Sequence, residues 1–238
     1  MERQAEAMWR GGPVFLQAEH ARLTTDSVLL ADFARVSGSM RGADLGCASG
    51  VLMLLLLCRE SGIMMTGMEV SPEAAALAGD NLRLNAMEDR ADILCGDFRV
   101  TAKTLKAGSF DFIITNPPYF EAGRGAVSPD RDRAAARTEL NCSLKDVFAA
   151  ASRLCRSGGR FFLCYRPDGL NRLFTESLAH RMQPKRLRFV HHSPGKDAAL
   201  VLVECRKDGN PGLTVGAPLI LFTEDGRETE EYRRIYHR

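Results

Sequence analysis

From residue 42 onward the chain alternates short apolar runs with longer segments in which apolar residues recur every three or four positions. The short runs are typical of buried strands, and the longer period is typical of helices packed on one face. Strands are predicted at residues 43–47, 64–70, 91–95, 111–115, 160–165, 186–191 and 198–205. Helices are predicted at residues 25–36, 51–59, 72–86, 144–154 and 169–181. This alternation predicts an α/β protein with a doubly wound, mostly parallel sheet.

Three segments stand apart from this alternation. Residues 193–197 are rich in turn formers, so the last two strands are predicted to form a hairpin. Residues 1–40 precede the first strand as an N-terminal extension, whose helix Thr25 and Asp26 are predicted to cap. Residues 121–140 form a long loop with four arginines nearby, and loops of this length are usually functional or mobile. The 238 residues together suit one domain.

The apolar run at 110–115 ends abruptly in Asn116-Pro117-Pro118-Tyr119. Two consecutive prolines fix φ and remove two backbone donors, so the strand must stop there. Ligands of open α/β sheets bind at the carboxyl ends of strands. The side-chain oxygen of Asn116 and the carbonyl of Pro117 can both accept hydrogen bonds from one planar NH2 group, while Tyr119 stacks on its ring. These residues predict a catalytic site for a flat, amino-bearing substrate; the alternative is a plain Pro-Pro turn.

A glycine-rich turn lies where the first predicted strand meets its helix. Residues 44–50 fit the pattern D-x-G-x-x-x-G, beginning at Asp44. Gly46 lets the backbone turn tightly and approach a ligand, and Gly50 lets the helix lie close. The turn differs from the dinucleotide pattern G-x-G-x-x-G because Ala48 stands between the outer glycines. Taken alone, it leaves open a tight turn without any ligand.

Two further strand ends carry acidic residues. Glu69 follows the glycine turn by about twenty residues. A carboxylate at this position can accept hydrogen bonds from both ribose hydroxyls of a bound cofactor. The next residue, Val70, is predicted to belong to the same binding site. Asp97 is predicted to accept a hydrogen bond from an adenine amino group, with Phe98 packed on the ring. The alternatives are a surface carboxylate and a simple turn. The glycine turn resembles the first motif of class I methyltransferases, and its spacing from Glu69, Asp97 and Asn116 favours S-adenosylmethionine over NAD as the cofactor.

Composition narrows the class of protein further. The net charge of +2 hides an asymmetry, since residues 121–238 carry 21 basic and 15 acidic side chains, against 11 and 15 in residues 1–120. Such a split points weakly to a polyanionic partner. The seven cysteines form no C-x-x-C pair, which suits reduced thiols in a cytoplasmic protein. The histidines show no metal-ligand spacing, and no apolar run is long enough to span a membrane, so neither a metal nor a membrane is expected.

The Asn-Pro-Pro-Tyr motif resembles the [N/D]-P-P-[Y/F/W] signature of S-adenosylmethionine-dependent methyltransferases that act on planar nitrogens. Nearly the whole chain is similar to the bacterial valine-tRNA adenine-N6 methyltransferase family. The stretches that carry the resemblance are residues 15–17, 25–31, 44–50, 116–120, 136–139, 195–198, 218–220, 225–226 and 235–236. The resemblance implies a Rossmann-like class I methyltransferase fold, a seven-stranded sheet ending in an antiparallel hairpin.

The resemblance also implies a substrate and further site residues. The substrate would be the adenine just 3′ of the anticodon of a valine tRNA. Thr25, within the extension formed by residues 1–40, would lie near the methionine end of the cofactor. One position departs from the family, because this chain has Thr138 where related proteins carry histidine. Eight basic side chains are candidates to bind RNA phosphates because of their positive charge. They are Arg124, Arg131, Arg133, Arg137, Lys185, Arg186, Arg188 and Lys196.

Other readings of the substrate remain open at the level of sequence. Methylation of guanine N2 in ribosomal RNA, or of a protein glutamine at N5, would use the same planar NH2 chemistry. A non-catalytic cofactor-binding subunit is a third alternative, which the intact Asn116 and Tyr119 disfavour. The oligomeric state is left open, with a monomer as the simplest case.

Overall fold

The computed structural model describes residues 5–16, 23–117 and 142–238, and a large β-sheet lies at its centre. A small antiparallel hairpin of β1 (Ala5–Ala7) and β2 (Val14–Leu16) precedes this sheet. The sheet strands are β3 (Arg41–Leu45), β4 (Met64–Glu69), β5 (Ala91–Cys95), β6 (Phe110–Thr115), β7 (Cys155–Tyr165), β8 (Met182–His191), β9 (Ala198–Lys207), β10 (Thr214–Val215) and β11 (Leu219–Ile220).

The strand order across the sheet is β10-β8-β9-β7-β6-β3-β4-β5, and β11 also pairs with β8. Only β9 runs against its neighbours β7 and β8, while the other pairs in this sheet are parallel. The predicted α/β fold is confirmed: β3 to β9 form a mostly parallel seven-stranded sheet with an antiparallel hairpin. The two-residue strands β10 and β11 extend it to nine strands and were not predicted.

Helices cover both faces of the sheet. They are α1 (Thr25–Phe33), α2 (Val51–Arg59), α3 (Pro72–Leu84), α4 (Phe98–Thr104), α5 (Leu144–Leu154), α6 (Leu170–Ala179) and α7 (Glu230–Ile235). One core lies beneath α1, α2, α3 and α7, and a second lies beneath α4, α5 and α6. In these three described segments, no helix is both long and apolar enough to cross a bilayer.

The central strands are apolar on both sides because each side meets a helical layer. On β7, Phe161 and Leu163 face one core, while Phe162 and Cys164 face the other, and all four are 0% exposed. Successive side chains of a strand point to opposite faces, so a continuous apolar run is what such a strand requires. The burial pattern therefore accounts for the clear strand signals at the centre of the sheet.

Several boundaries differ from prediction, and in β8 a turn former lies inside the element. β8 begins at Met182, four residues before its predicted start, although it contains Pro184. A register shift between Pro184 and Arg186 accommodates the missing backbone donor, as bulges commonly do.

The helix α1 is capped by Thr24, whose side chain accepts a hydrogen bond from the Ser27 N–H at 3.3 Å. The expectation that Thr25 and Asp26 form the cap was wrong, because both lie within the first turn.

The N-terminal hairpin is held to the domain by two asparagines, Asn81 on α3 and Asn85 at the C-cap of the same helix. Asn81 Oδ1 accepts from the Leu16 N–H at 2.6 Å, and its Nδ2 donates to Leu16 O at 3.2 Å. Asn85 makes the same pair of contacts with Val14, at 2.9 and 2.6 Å. Asn81 Nδ2 also donates to Ser49 O at 2.9 Å, in the glycine-rich turn. A single buried amide thus ties the hairpin to that turn.

Replacing Asn81 with alanine should destabilise the protein by about 2 kcal/mol, because the partly buried N–H and C=O groups of Leu16 and the C=O group of Ser49 lose this partner. Urea denaturation followed by circular dichroism measures this change. The matched control is Asn171→Ala on an exposed position of α6, which should cost about 0.5 kcal/mol or less. Equal losses in the two variants would contradict a structural role for Asn81.

Candidate active site at the carboxyl ends of the parallel strands

The strand order brings the predicted site residues to one edge of the sheet. β4, β3 and β6 are consecutive neighbours and run parallel, so Glu69, the glycine turn and Asn116 all follow their carboxyl ends. Thr115 Oγ1 donates to Leu45 O at 2.7 Å and fastens the last residues of β6 and β3 together. From β3 the chain adds β4 and β5 on one side, and β6 then pairs with the other side of β3. The switch point of the topology therefore lies between β3 and β6, and open α/β sheets form ligand crevices at such a point.

The glycine turn has the backbone shape that its sequence predicted. Gly46 and Gly50 have φ angles of 76° and 80°, and Ala48 adopts 47° without being glycine. The N–H groups of Gly46 and Cys47 donate to Met68 O at 2.9 and 3.1 Å. A Cβ on Gly46 would meet no atom within 4 Å, whereas one on Gly50 would lie 3.3 Å from the Ala78 side chain. Gly46 therefore faces open space, and Gly50 permits the close approach of α2 to α3.

Glu69 is buried at the end of β4, and its carboxylate is held by backbone donors. Ala48 N–H donates to Oε2 at 2.8 Å, and Ser71 N–H donates to Oε1 at 2.9 Å. Each carboxylate oxygen retains a lone pair beyond these bonds. The adjacent Val70 is 43% exposed, which leaves an apolar surface beside the carboxylate.

Asp44 is 0% exposed, and neither of its carboxylate oxygens has a hydrogen-bond partner among the residues that the structure describes. Burial, with a smaller contribution from the charge of Glu69, raises the pKa of Asp44 from 3.8 to about 8. The same burial raises the pKa of the Cys47 thiol well above its ordinary value. Two carboxyl groups that interact electrostatically thus lie behind the glycine turn, and in the described part of the chain one of them has no hydrogen-bond partner.

At the end of β5, Asp97 caps α4 and accepts from the Arg99 N–H at 2.8 Å. The Arg99 guanidinium also contacts the Asp97 carboxylate at 2.5 Å, and this hydrogen bonding lowers the pKa of Asp97. Phe98 is half-buried against the second core. Helix capping explains the position of Asp97 without any ligand. The hydrogen bond from an adenine amino group to Asp97 therefore stays a prediction.

Asn116 lies half-buried directly after β6, with its carboxamide in contact with two other elements. Its Nδ2 donates to Ser27 Oγ at 3.0 Å and to Thr24 Oγ1 at 3.4 Å, at the start of α1. Its Oδ1 accepts from the Cys164 thiol of β7 at 3.0 Å. Pro117 is buried beside it. The predictions for Tyr119 and for the loop at 121–140 lie outside the described residues.

The sequence did not assign Thr24, Ser27 or Cys164 to this site. A cluster of hydroxyl residues before an apolar helix is a visible signal, but it predicts helix capping rather than contact with a residue 89 positions away. Thr25, predicted near the cofactor, accepts a hydrogen bond from the Tyr236 hydroxyl at 3.3 Å. The C-terminal segment therefore also reaches the start of α1.

Residues 19–167 match the family model described as the methyltransferase small domain. The chain belongs to this family. It is 31% identical to the tRNA1(Val) (adenine(37)-N6)-methyltransferase of Shigella dysenteriae, over 74% of this chain and 73% of that protein. It is 32% identical to the protein of the same name from Porphyromonas gingivalis, over 90% and 86% of the two chains. The resemblance found in the sequence motifs is thereby confirmed.

Solved structures with the same fold support this family membership. A protein of Agrobacterium tumefaciens, described as a predicted O-methyltransferase, superposes with a TM-score of 0.74 at 25% identity, over 90% of this chain and 96% of that chain. The geranyl diphosphate C-methyltransferase of Streptomyces coelicolor, solved with S-adenosyl-L-homocysteine, superposes at 0.56 with 15% identity, over 76% of each chain. The second likeness concerns the fold alone.

This methyltransferase uses S-adenosylmethionine, and the residues at the strand ends suit that cofactor. The cofactor carries a cationic sulfonium and an ammonium group, which fit beside the buried carboxylates of Asp44 and Glu69. Gly46 has no side chain, so the open space that a Cβ would enter is free to receive part of the cofactor. Among the described residues, no group of three His, Cys, Asp or Glu side chains is arranged to hold a metal ion.

The stability of the cofactor-free protein should depend on pH through Asp44. Its folded-state pKa is raised, so the folded chain binds one more proton than the unfolded chain between about pH 4 and pH 8. The free energy of unfolding therefore falls as pH rises through this window. Asp44→Asn removes this component, so its stability relative to wild type should be higher at pH 8 than at pH 5.

Urea denaturation at the two pH values measures the effect of Asp44→Asn. Asp92→Asn, on an exposed position of β5, is the matched control and should not show this gain. A difference between Asp44→Asn and wild type that stays the same at both pH values would show that Asp44 does not titrate in this window.

Proposed function

We propose that this enzyme transfers a methyl group to N6 of an adenine in RNA, and that its target is adenine 37 of a valine tRNA. The observation that carries the proposal is the position of Asn116 and Pro117 after β6, on the same edge as the glycine turn and Glu69. The names of the relatives from Shigella dysenteriae and Porphyromonas gingivalis supply the RNA and the base.

The chemistry of the amine explains why an asparagine and a proline are suited to this role. The exocyclic nitrogen of adenine is a poor nucleophile because its lone pair is delocalised into the ring. Hydrogen bonds from its two protons to Asn116 Oδ1 and Pro117 O would localise that lone pair and direct it. Bound S-adenosylmethionine supplies an electrophilic methyl group. The amine proton leaves to water, so no dedicated base is required.

The cofactor residues are proposed by their place along the edge. Glu69 would bind the ribose hydroxyls through its remaining lone pairs, with Val70 beside the adenine. Asp97 and Phe98 would border the adenine ring. The methionine end would lie at the glycine turn formed around Gly46 and Gly50, near Asp44 and Thr25.

The RNA would approach the same edge with its target base splayed out of the stack, as an anticodon loop allows. The hairpin tip between β8 and β9 lies at this edge, since Tyr165 at the end of β7 pairs with Val201 near the start of β9. Lys196 on that tip is exposed. Arg186 and Arg188 are less suited to bind phosphates, because they pair with Glu204 and Glu231.

We further propose that residues 1–238 act as a single domain in which the extension 1–40 borders the cofactor site. Asn81 supports this arrangement because it bonds both Leu16 of the hairpin and Ser49 of the glycine turn. The helix α1 supports it from the other side, through the hydrogen bond between Ser27 and Asn116.

The direct test is methyl transfer from labelled S-adenosylmethionine to total RNA from a strain that lacks this gene. Nucleoside mass spectrometry should detect new N6-methyladenosine, and tRNA fractionation should locate it in a valine tRNA. RNA from the parent strain, already modified at the site, is the matched control and should accept little label. Methylated guanosine would indicate a different RNA base. If RNA takes up no label, a protein extract of the same strain is supplied instead, where labelled protein would indicate a glutamine substrate and no label would indicate a cofactor-binding subunit.

Asn116→Ala should reduce turnover by at least about 1,000-fold, because the target amine loses an acceptor that acts in the transition state. Binding of S-adenosylmethionine, measured by calorimetry, should change little because the glycine turn and Glu69 are intact. The relevant comparison is single-turnover rate against cofactor affinity in the same preparation. Turnover at the wild-type rate would contradict the assigned role of Asn116.

A further inference from the structure

The carboxamide of Asn116 has two ends of nearly equal shape and opposite chemistry. The oxygen accepts hydrogen bonds, and the NH2 group donates them. An amine that is losing a proton needs the oxygen, since a facing NH2 group would set donor against donor. The role proposed for Asn116 therefore depends on which end of the amide faces the target.

Two hydroxyl groups at the start of α1 contact the NH2 end. Ser27 Oγ lies 3.0 Å and Thr24 Oγ1 lies 3.4 Å from Asn116 Nδ2. The two hydroxyl oxygens lie 3.1 Å from each other, so one proton is shared between them. Thr24 Oγ1 is fixed further by its role as helix cap, in which it accepts from the Ser27 N–H at 3.3 Å.

The protons available at these hydroxyls favour the observed orientation of the amide. With NH2 facing them, both oxygens accept while their shared proton stays in place. In the reversed orientation the Asn116 oxygen would have to accept protons from these two hydroxyl groups. The two groups carry two protons, and one of them already lies between the two hydroxyl oxygens, so only one is left to donate. The NH2 group would then face the Cys164 sulfur, which is a weak acceptor.

We propose that Ser27, together with Thr24, orients Asn116 so that its oxygen is presented to the target amine, which makes Ser27 a positioning residue of the methyltransferase. This inference rests on the proposed function. A carbonyl oxygen has two lone pairs, and the Cys164 thiol occupies one at 3.0 Å. Within residues 5–16, 23–117 and 142–238 no other group bonds this oxygen, so the second lone pair is the one assigned to the substrate. Ser27 is the informative position because its hydroxyl, unlike that of Thr24, does not cap the helix.

The test compares Ser27→Ala with Ser27→Thr, which keeps the hydroxyl. Ser27→Ala should lower kcat roughly tenfold, the effect of losing about one hydrogen bond, with KM for RNA and affinity for S-adenosylmethionine within about twofold of wild type. Ser27→Thr should restore most of kcat. The matched control is Ser61→Ala, on an exposed turn between α2 and β4, which should leave kcat, KM for RNA and the affinity for S-adenosylmethionine unchanged.

A second measurement does not depend on turnover. In the cofactor-free protein, the side-chain NH2 protons of Asn116 should exchange with solvent faster in Ser27→Ala than in wild type, as read by nitrogen-15 NMR. The resonance is assigned by its loss in Asn116→Asp. Unchanged exchange would overturn the inference, as would a wild-type kcat in Ser27→Ala or a Ser27→Thr variant as slow as Ser27→Ala.

The kinetic comparison and the exchange measurement together separate this inference from the function on which it rests. If the wild-type enzyme methylates no adenine in RNA, the proposed function fails, and the exchange measurement still decides whether Ser27 orients the amide. If wild type methylates adenine while Ser27→Ala retains full kcat, the function stands and the orienting role of Ser27 is wrong.

Discussion

The carboxylate of Glu69 is the contact on which the active-site edge depends. It accepts one backbone N–H from the glycine turn, at Ala48, and another from Ser71 at the start of α3. One side chain thus fixes the turn after β3 relative to the helix after β4. A carboxylate buried to this degree is stable only when such donors replace the water it has lost. On the other side, Thr115 bonds Leu45 and continues the chain of contacts to β6.

The order of the strands turns these contacts into a two-sided site. Glu69 and Asp97 follow strands on one side of β3, while Asn116 follows β6 on the other. The N-terminal extension reaches both sides, through Leu16 bonded to Asn81 and through Ser27 bonded to Asn116. A segment that would look like an appendage in the sheet topology therefore contacts both α3 and the residue that follows β6, on the two sides of β3.

Most of the fold could be predicted from the sequence because its core strands are buried on both faces and show as continuous apolar runs. The glycine turn was recognisable for a related reason, since Gly46 and Gly50 adopt φ angles that other residues disfavour. The short elements α4, β10 and β11 carry too few residues to produce a period. The contacts of Ser27 and Cys164 with Asn116 could not be predicted either, because they join residues far apart in sequence through side chains whose local patterns indicate only a cap and a core.

The two halves of the edge differ in how completely their polar groups are satisfied. Behind the glycine turn, Asp44 is buried without a partner among the described residues, and its pKa is raised mainly by that burial and to a smaller extent by the charge of Glu69. A cationic ligand bound beside Asp44 would offset the cost of ionising this buried group, so the proposed cofactor site predicts that ligand binding and stability are coupled. Asn116, by contrast, has partners at both ends of its amide before any substrate arrives. Under the proposed function the target amine would meet an acceptor whose amide is already held in place, whereas the carboxyl group of Asp44 would gain its partner from the cofactor.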